Sequence, residues 1–374
     1  MRNLATIQTI KSLDKIEGKD RILYASFESV GFRVIVKADM KIGQKVVYCE
    51  VDSLLPVKEE YDFLRKSCFS EKWNGFRIRN MRLAGLYSEG LTLSVPVGLE
   101  GKEDGYDVTE LLEIRKYDPE ALAEQVLSER NKANWAKRLA YKYPFWKKIV
   151  NFFFPKERNS WPKWASKSDE TRAQNLSYIF EQYQGEQFYS SEKVDGQSCL
   201  YGMVKGKFYV CSRNFMVVPV GGGAQTNYWQ FAKINDVENR LKKMREDIGF
   251  DFYLQGELCG PTIQGNKYRF KALRFLVFNM RDVTTGKYLP ENQMHLTCAK
   301  YGFEYVPVLE YFTWAFKDMD ELLKYADGKS VFGDNVLREG VVLRSLVVAP
   351  PDQGQANMRS LKVISPSFDL KWNK

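Results

Sequence analysis

The sequence contains one histidine, His295, and this scarcity excludes several kinds of active site. Ser-His-Asp hydrolysis needs a histidine as its general base, and histidine-rich metal centres need several of them. We expect His295 to be a surface or packing residue. Unless His295 acts alone, the chemistry must depend on lysine, arginine and carboxylate side chains.

Other absences narrow the class of protein further. The six cysteines form no Cys-x-x-Cys pair, which argues against a zinc ribbon. No apolar run approaches the roughly 20 residues of a membrane-spanning helix, and no apolar h-region follows the N-terminus. A chain of 374 residues can bury a core without disulfides, so we expect reduced, mostly structural cysteines in a two- or three-domain globular protein.

Positive charge is concentrated in residues 130–163. This stretch holds ten lysines and arginines against one acid, Glu157, and so accounts for the whole net charge of +9. Aromatic residues interleave with the cations, a combination that suits a nucleic-acid backbone with exposed bases. An anionic membrane surface, or a connector packed on a neighbouring domain, would suit it as well. The candidate RNA contacts are Trp135, Lys137, Arg138, Trp146, Lys147 and Lys148.

Short, closely spaced strand patterns dominate residues 1–100, where β-branched and aromatic runs alternate with turns. This pattern predicts a small all-β barrel, and an OB-fold fits it. Residues 117–150 have helical periodicity instead. Their start at Asp118 and Pro119 suits the N-cap and first position of a helix.

Strand runs alternate with helical segments in residues 168–374, which predicts an α+β domain. One helix is expected over residues 227–249, ending at Gly249. We therefore divide the chain into an N-terminal OB-like β-barrel domain (1–112), a helical, basic and aromatic connector (113–167) and an α+β domain (168–374).

The strongest local motif is Glu192-Lys193-Val194-Asp195-Gly196. A lysine at a strand end before Asp-Gly can present its amine to a cleft. A free lysine, with a pKa near 10.4, becomes a nucleophile when desolvation or nearby cations stabilise its neutral form. Attack on an α-phosphate would give a lysyl–nucleotide phosphoramidate.

Five further motifs follow this lysine along the chain. They are Ser212-Arg213-Asn214, Gly256-Glu257-Leu258, Phe278-Asn279, Glu339-Gly340-Val341-Val342 and Ser360-Leu361-Lys362-Val363-Ile364. Their order and spacing resemble the signature motifs of the covalent nucleotidyltransferases, which include ATP-dependent DNA ligases, RNA ligases and mRNA capping enzymes. The resemblance covers residues 168–374. It implies an ATP-grasp-like ligase catalytic domain, with antiparallel sheets and flanking helices.

The carboxylates of these motifs suit phosphoryl transfer, in which positioning and electrostatics dominate. Asp195, Glu257 and Glu339 can hold a hydrated Mg²⁺ or Mn²⁺ over the α-phosphate, largely through water molecules. No Gly-x-x-x-x-Gly-Lys-[Ser/Thr] phosphate loop competes with this assignment.

The remaining motif residues suit the nucleotide itself. Lys362 can offset the charge of the α-phosphate, Arg213 can grip a phosphate or the ribose, and Phe278 can stack on the purine. The catalytic set is Lys193, Asp195, Glu257, Glu339 and Lys362. The ATP-contacting set is Glu192, Lys193, Val194, Gly196, Arg213, Glu257, Phe278, Glu339, Lys362 and Lys371.

The position of the OB-like region indicates one branch of these enzymes. DNA ligases and capping enzymes place an OB domain after the last lysine motif, where only twelve residues follow Lys362. An N-terminal OB domain resembles the Naegleria/Deinococcus type of RNA ligase. Segments that resemble this branch are IRNMRLAGLYSEGLTLSVP, DGYDVTELLEIRKYDP, KSDETRAQN from Lys167, and the pair of Lys362 with Lys371 in SLKVISPSFDLKW.

The resemblance implies an ATP-dependent RNA ligase that joins 3′-OH and 5′-phosphate ends through lysyl-AMP and RNA-adenylate, with ATP and Mg²⁺ or Mn²⁺ as cofactors. We expect RNA as the partner, no membrane association, and a monomer in a bacterial cytoplasm, or in a host cytoplasm for a phage-encoded protein. A DNA ligase and a GTP-using capping-type enzyme remain alternatives. So does an OB-fold nucleic-acid-binding protein with an inactive transferase domain, although the intact Lys193, Glu257, Glu339 and Lys362 argue against it.

Overall fold

The computed structural model describes residues 3–118, 158–219, 224–347 and 358–372. Most of the predicted connector, including its expected helix and the six candidate RNA contacts, lies outside the described residues. Within the described ranges, every helix is too short or too polar to span a bilayer.

The N-terminal domain is built mainly from strands, as predicted, and all but the first two of them are short. The elements are β1 (Ala5–Ile16), β2 (Lys19–Phe27), β3 (Arg33–Lys37), β4 (Lys45–Cys49), β5 (Ser53–Leu55), a 3₁₀ helix (Glu59–Leu64), α1 (Arg65–Cys68), β6 (Phe69–Ser70), β7 (Gly75–Arg77), β8 (Met81–Leu83), β9 (Leu86–Ser88), β10 (Leu91–Leu93) and β11 (Arg115–Lys116). A five-stranded sheet has the order β10-β4-β1-β2-β3, a four-stranded sheet has the order β11-β5-β7-β6, and β8 and β9 form a hairpin.

The long strand β1 curves this domain into a barrel-like fold. Its first half pairs with β4 and its second half pairs with β2, and its register shifts after Ile10 and again after Lys15. Such irregularities bend and twist a strand, so one strand can serve both sides of a barrel. Ile7 and Ile10 point into the buried core.

The second domain is α+β, as predicted, with two main sheets. The elements are β12 (Arg158–Ser160), β13 (Thr171–Arg172), a 3₁₀ helix (Ala173–Asn175), α2 (Ile179–Gln182), β14 (Gln187–Lys193), β15 (Gln197–Val204), β16 (Lys207–Cys211), β17 (Phe215–Val217), α3 (Asn227–Ile234), α4 (Val237–Ile248), β18 (Phe252–Cys259), a 3₁₀ helix (Gln264–Asn266), β19 (Arg274–Asp282), α5 (Glu291–Lys300), β20 (Glu304–Tyr305), β21 (Val308–Thr313), α6 (Met319–Ala326), β22 (Lys329–Ser330), β23 (Gly333–Leu337), β24 (Gly340–Ser345), β25 (Ser360–Ile364) and α7 (Pro366–Trp372). The seven-stranded sheet has the order β12-β17-β16-β15-β18-β19-β20, and the five-stranded sheet has the order β13-β25-β24-β14-β21.

The helix expected over residues 227–249 is instead two helices, α3 and α4. The break falls at Asp236, whose φ of 48° lies in the left-handed region. Asparagine and aspartate tolerate that conformation better than other non-glycine residues. The end at Gly249 is as predicted, since its φ of 83° suits a C-terminal glycine.

Strand pairing also bears on where the domains begin and end. Strand β12 pairs with β17, and Trp161 and Trp164 pack around Tyr253. Residues 158–164, assigned to the connector from sequence, therefore belong with the second domain: β12 extends its sheet and the two tryptophans pack against it. At the other end of the connector, β11 pairs with β5 of the N-terminal domain.

Polar contacts join the two domains beside β13 and α7. The amide of Gly31 donates to the carbonyl of Gln174 at 2.7 Å, and Gln174 Nε2 donates to the buried Glu89 at 3.1 Å. The hydroxyl of Tyr87 donates to Asp369 Oδ2 on α7 at 2.9 Å. The N-terminal domain therefore lies against the end of the second domain that carries the last lysine motif.

Candidate active site

A cavity of about 440 Å³ lies between the two sheets of the α+β domain. Most of the residues predicted to contact ATP line it, although they come from motifs scattered over the domain. The lining residues among them are Glu192, Lys193, Val194, Gly196, Arg213, Glu257, Phe278 and Lys362. Asp195 and Glu339 lie beside Lys193, whereas Lys371 is exposed on α7 with its Nζ 5.0 Å from the ring of Trp372.

Strand register brings Lys193 to Glu339. Lys193 ends β14 and pairs with Gly340 of β24, so the residue before Gly340 lies next to the lysine. Lys193 Nζ is 2.6 Å from Glu339 Oε1. A Cβ on Gly340 would lie 2.1 Å from the carbonyl oxygen of Val363, so only glycine lets β25 approach this closely.

The turn after Lys193 packs tightly on β18. A Cβ on Gly196 would lie 2.6 Å from the carbonyl oxygen of Leu258 and 2.9 Å from Glu257 Cγ. The missing side chain at Gly196 therefore lets Glu257 approach the nucleophile turn. The motif Lys-x-Asp-Gly thus sets the distance between two of the predicted catalytic strands.

Three carboxylates govern the charge of Lys193. Burial favours its neutral amine, yet Glu339, Glu257 and Asp195 raise its pKa above the usual value. Burial raises the pKa of Glu257 to about 8, against the opposing effect of Lys193 and with the help of Glu339 and Asp195. Desolvation alone therefore does not produce a neutral lysine in the free protein, and additional positive charge is needed near the carboxylates.

The donor set fits a hydrated cation better than a directly bound one. Among the described residues, no group of three or more His, Cys, Asp and Glu side chains is arranged to hold a metal ion. Glu339 Oε2 is buried and has no hydrogen-bond partner. A cation with its own water shell would satisfy that oxygen and reduce the repulsion between Glu257 and Glu339.

A second group of charges lies where β25 passes the cavity. Asp169 accepts from Lys362 Nζ at 3.1 Å and from Arg213 Nη2 at 3.3 Å. Burial, together with the cations Lys193 and Arg172, lowers the pKa of Lys362 to about 8, although Asp169 opposes the shift. Lys362, predicted to offset phosphate charge, and Arg213, predicted to grip a phosphate or the ribose, are thus brought together on one carboxylate.

The wall that carries Phe278 is fixed by a buried arginine that the sequence analysis did not identify. Arg344 donates from Nη1 to the carbonyl of Phe278 and from Nη2 to Glu170 Oε1, both at 2.7 Å. It also donates from Nε to Ser360 Oγ at 3.3 Å. One guanidinium therefore links β19, β24, β25 and the segment before β13. The only sequence signal for it was Glu170 in KSDETRAQN.

His295 and the cysteines have the structural roles expected of them. The His295 ring stacks on Tyr305 with centroids 3.9 Å apart and pairs with Glu291, outside the cavity lining. All six cysteines are free and buried.

The comparisons with known proteins agree with this geometry. The family model for RNA ligase matches residues 186–364, and an OB-fold domain model matches residues 4–95. The α+β domain belongs to the RNA ligase family. No curated protein matches the chain.

Solved structures extend the likeness of this RNA ligase domain to the whole chain. Naegleria gruberi RNA ligase with pyrophosphate is 26% identical, with a TM-score of 0.78 over 100% of this chain and 99% of that one. A variant of the same ligase with ATP and Mn is 26% identical, with a TM-score of 0.79 over 100% of both chains. A variant with AMP and Mn is also 26% identical, with a TM-score of 0.77 over 99% of each chain. The resemblance to RNA ligases with an N-terminal OB domain is confirmed.

Proposed function

We propose that the protein is an ATP-dependent RNA ligase that joins RNA 3′-OH and 5′-phosphate ends through a lysyl-AMP intermediate. The observation that carries this proposal is the cavity itself. Lys193, Glu257, Arg213 and Lys362 line it and Glu339 pairs with Lys193, in a domain that matches the RNA ligase family; this arrangement supports attack on a nucleotide phosphate.

In the first step, Lys193 Nζ attacks the α-phosphate of ATP. A P–N bond forms and the P–O bond to pyrophosphate breaks. The amine must lose a proton first, and Glu339 Oε1, 2.6 Å away, is positioned to accept it. Lys362 and Arg213 offset phosphate charge, and Phe278 stacks on the purine.

The next two steps use the same cavity. An oxygen of the RNA 5′-phosphate attacks the lysyl-AMP phosphorus, the P–N bond breaks, and Lys193 regains a proton. The RNA 3′-OH then attacks the 5′-phosphate of the RNA-adenylate, a phosphodiester forms, and AMP leaves. Lys362 can stabilise negative phosphate charge in each step.

Mg²⁺ or Mn²⁺ fits the carboxylates Asp195, Glu257 and Glu339, held largely through water. The unpartnered Glu339 Oε2 and the raised pKa of Glu257 support this assignment. The bound ion would supply positive charge that favours a neutral Lys193 and the departing pyrophosphate. The ATP and Mn in the Naegleria gruberi ligase variant agree with this cofactor pair.

We propose a monomer that acts in the cytoplasm. The predicted catalytic side chains lie in or beside one cavity of a single chain, which supports a monomer. Free, buried cysteines suit a reducing compartment.

The basic segment 130–163 is our proposed RNA contact. If its cations meet phosphates, RNA affinity should fall by roughly 0.7 to 0.9 log units per contact for each tenfold rise in salt. Stacking on Trp135 and Trp146 could add about 1–3 kcal/mol per base. A variant with four glutamines should have a flatter salt slope and weaker sealing, but normal autoadenylation. Equal slopes would contradict the proposal, and binding to anionic vesicles would favour a membrane role. The substituted residues are Lys137, Arg138, Lys147 and Lys148.

A substrate comparison tests the function and its enzyme alternatives. The protein would be incubated with Mg²⁺ or Mn²⁺ and nicked or single-stranded substrates that carry 5′-phosphate and 3′-OH ends. We expect sealing of RNA ends with ATP. Preference for DNA ends would favour a DNA ligase, and nucleotide transfer from GTP alone would favour a capping-type enzyme. Nucleic-acid binding without nucleotide transfer would favour an inactive transferase domain.

A further inference from the structure

Lys267 makes a largely buried ion pair with the aspartate of the nucleophile motif. Its Nζ contacts Asp195 Oδ2, and the two side chains are 13% and 16% exposed. The sequence offered no reason to select Lys267, which lies in the loop between β18 and β19. It is not among the residues that line the cavity, and its ion pair with Asp195 is its contact with the nucleophile motif.

The same loop holds Asp195 by its backbone as well. The Asp195 amide donates to the hydroxyl of Tyr268 at 2.7 Å, and Cys259 Sγ, at the end of β18, donates to the Asp195 carbonyl at 3.6 Å. The turn that follows Lys193 is thus fixed by side-chain and backbone contacts, all from β18 and the loop after it.

Three non-glycine residues of this loop have a left-handed backbone conformation. Gln264, Asn266 and Arg269 have φ values of 47°, 47° and 56°. The Asn266 side chain both accepts from the amide of Phe270 and donates to its carbonyl, each at 2.9 Å. Non-glycine residues in the left-handed region carry strain that the surrounding structure must offset, and such strain is concentrated at functional sites.

Lys267 also connects Asp195 to the C-terminal helix. Its Nζ is 5.0 Å from the ring centroid of Phe368 and 5.6 Å from that of Trp372, both on α7. Cation–π contacts of this length favour a charged lysine. The side chain therefore packs between the helix after the last lysine motif and the turn after the first.

Lys267 adds positive charge to a site that is rich in carboxylates. Lys193 Nζ lies 2.6 Å from Glu339 Oε1, and Asp195 follows two residues after Lys193 in the same turn. Lys267 is a second cation beside this group of charges, and it pairs directly with Asp195.

We propose that Lys267 is a positioning residue for the adenylation step. It fixes the Asp195 carboxylate and the turn that presents Lys193, and it offsets part of the negative charge beside the nucleophile. This inference rests on the proposed function, because it assumes that Lys193 attacks ATP.

The test compares Lys267→Met, which keeps the aliphatic packing, with Lys267→Gln and Lys267→Arg. Lys271→Met is the matched control, because Lys271 is an exposed lysine four residues further along the chain. Formation of the covalent AMP adduct would be followed in single-turnover experiments over a range of ATP concentrations. Thermal unfolding of each variant without nucleotide would report on the fold.

We expect Lys267→Met and Lys267→Gln to slow adduct formation at saturating ATP by about 10–100-fold, the range seen when partners of ligating groups are removed. The ATP concentration for half-maximal rate should change by less than about twofold, since Lys267 does not line the cavity. Lys267→Arg should recover most of the rate. In an Asp195→Asn background, Lys267→Met should cause little further loss, since both changes remove the same interaction.

Three results would overturn the inference. The first is a Lys267→Met rate equal to that of Lys271→Met. The second is a loss that multiplies fully with that of Asp195→Asn. The third is unfolding of Lys267→Met and Lys267→Gln far below the temperature of the control, which would make Lys267 a residue of the fold alone. Failure of the proposed function would be visible separately, as no adduct in the wild type or in Lys271→Met, and would overturn both.

Discussion

Replacing Glu170 with glutamine should destabilise the protein strongly, because it leaves the Arg344 guanidinium buried without a counter-ion. The pair is 2.7 Å long, and its side chains are 11% and 3% exposed. Removing one partner of such a pair costs about 3–5 kcal/mol. Glutamine still offers an oxygen to Arg344, so we expect the lower end, about 3 kcal/mol. With a urea m-value near 3 kcal/mol/M, the unfolding midpoint should fall by about 1 M.

The pH dependence gives this prediction a second check. Burial would raise the pKa of Glu170, but Arg344, Lys362 and Ser360 keep it below the usual value. A carboxyl whose pKa is lowered by folding adds stability above its unfolded pKa, near 4.5, and that stability is lost as the pH falls through the folded pKa. The difference between wild type and Glu170→Gln should therefore be full at pH 7 and should shrink below about pH 4.5.

Urea unfolding, followed by tryptophan fluorescence at several pH values, measures both effects. Glu181→Gln is the control, because Glu181 is exposed on α2. Equal midpoints for Glu170→Gln and Glu181→Gln would refute the reasoning, as would a difference that does not depend on pH.

Further predictions concern the strands and charges around Lys193. Gly340→Ala should lower the free energy of unfolding by about 1–3 kcal/mol, because the added Cβ would meet the backbone of β25. Gly101→Ala is the control for urea unfolding, because a Cβ there would lie in open space and should not lower the free energy of unfolding. Alanine at Glu257 or Glu339 should slow adenylation on the order of 10²-fold, and wild-type rates in both variants would place the metal elsewhere. ATP affinity, measured by calorimetric titration, should weaken as the pH rises through about 8, where Lys362 loses its charge. Lys362→Met should remove that pH dependence, and a Lys362→Met profile equal to that of the wild type would show that another group is responsible.

The parts of the site that could be predicted are those whose chemistry fixes the residue type. A lysine nucleophile before Asp-Gly and carboxylates at strand ends are needed for nucleotide transfer wherever the strands lie. The sequence therefore predicts Lys193, Glu257 and Glu339 as site residues. In the structure Lys193 and Glu257 line one cavity, and Glu339 lies beside Lys193. Gly340 was recognised from sequence as part of a motif. Glycine is needed there because Val363 approaches it closely, and that approach depends on strand pairing.

The site residues that could not be predicted are those whose role depends on contacts between segments distant in sequence. Lys267 and Arg344 are two of 56 lysines and arginines. Nothing in their neighbours along the chain indicates a buried carboxylate partner. Arg344 meets Glu170 only because β24 and β25 pair next to the segment before β13. The break between α3 and α4 was missed for a local reason, since a left-handed aspartate does not interrupt the apolar periodicity on either side.

The central claim is that Lys193 carries AMP, and peptide mapping tests it most directly. The protein would be incubated with labelled ATP and Mg²⁺, without RNA, and digested under alkaline conditions that preserve a phosphoramidate. We predict one AMP on the peptide that contains Lys193, labile to acid and stable to base. We predict none in Lys193→Arg, because arginine stays protonated and cannot attack. AMP on another residue, or an adduct that persists in Lys193→Arg, would contradict the account.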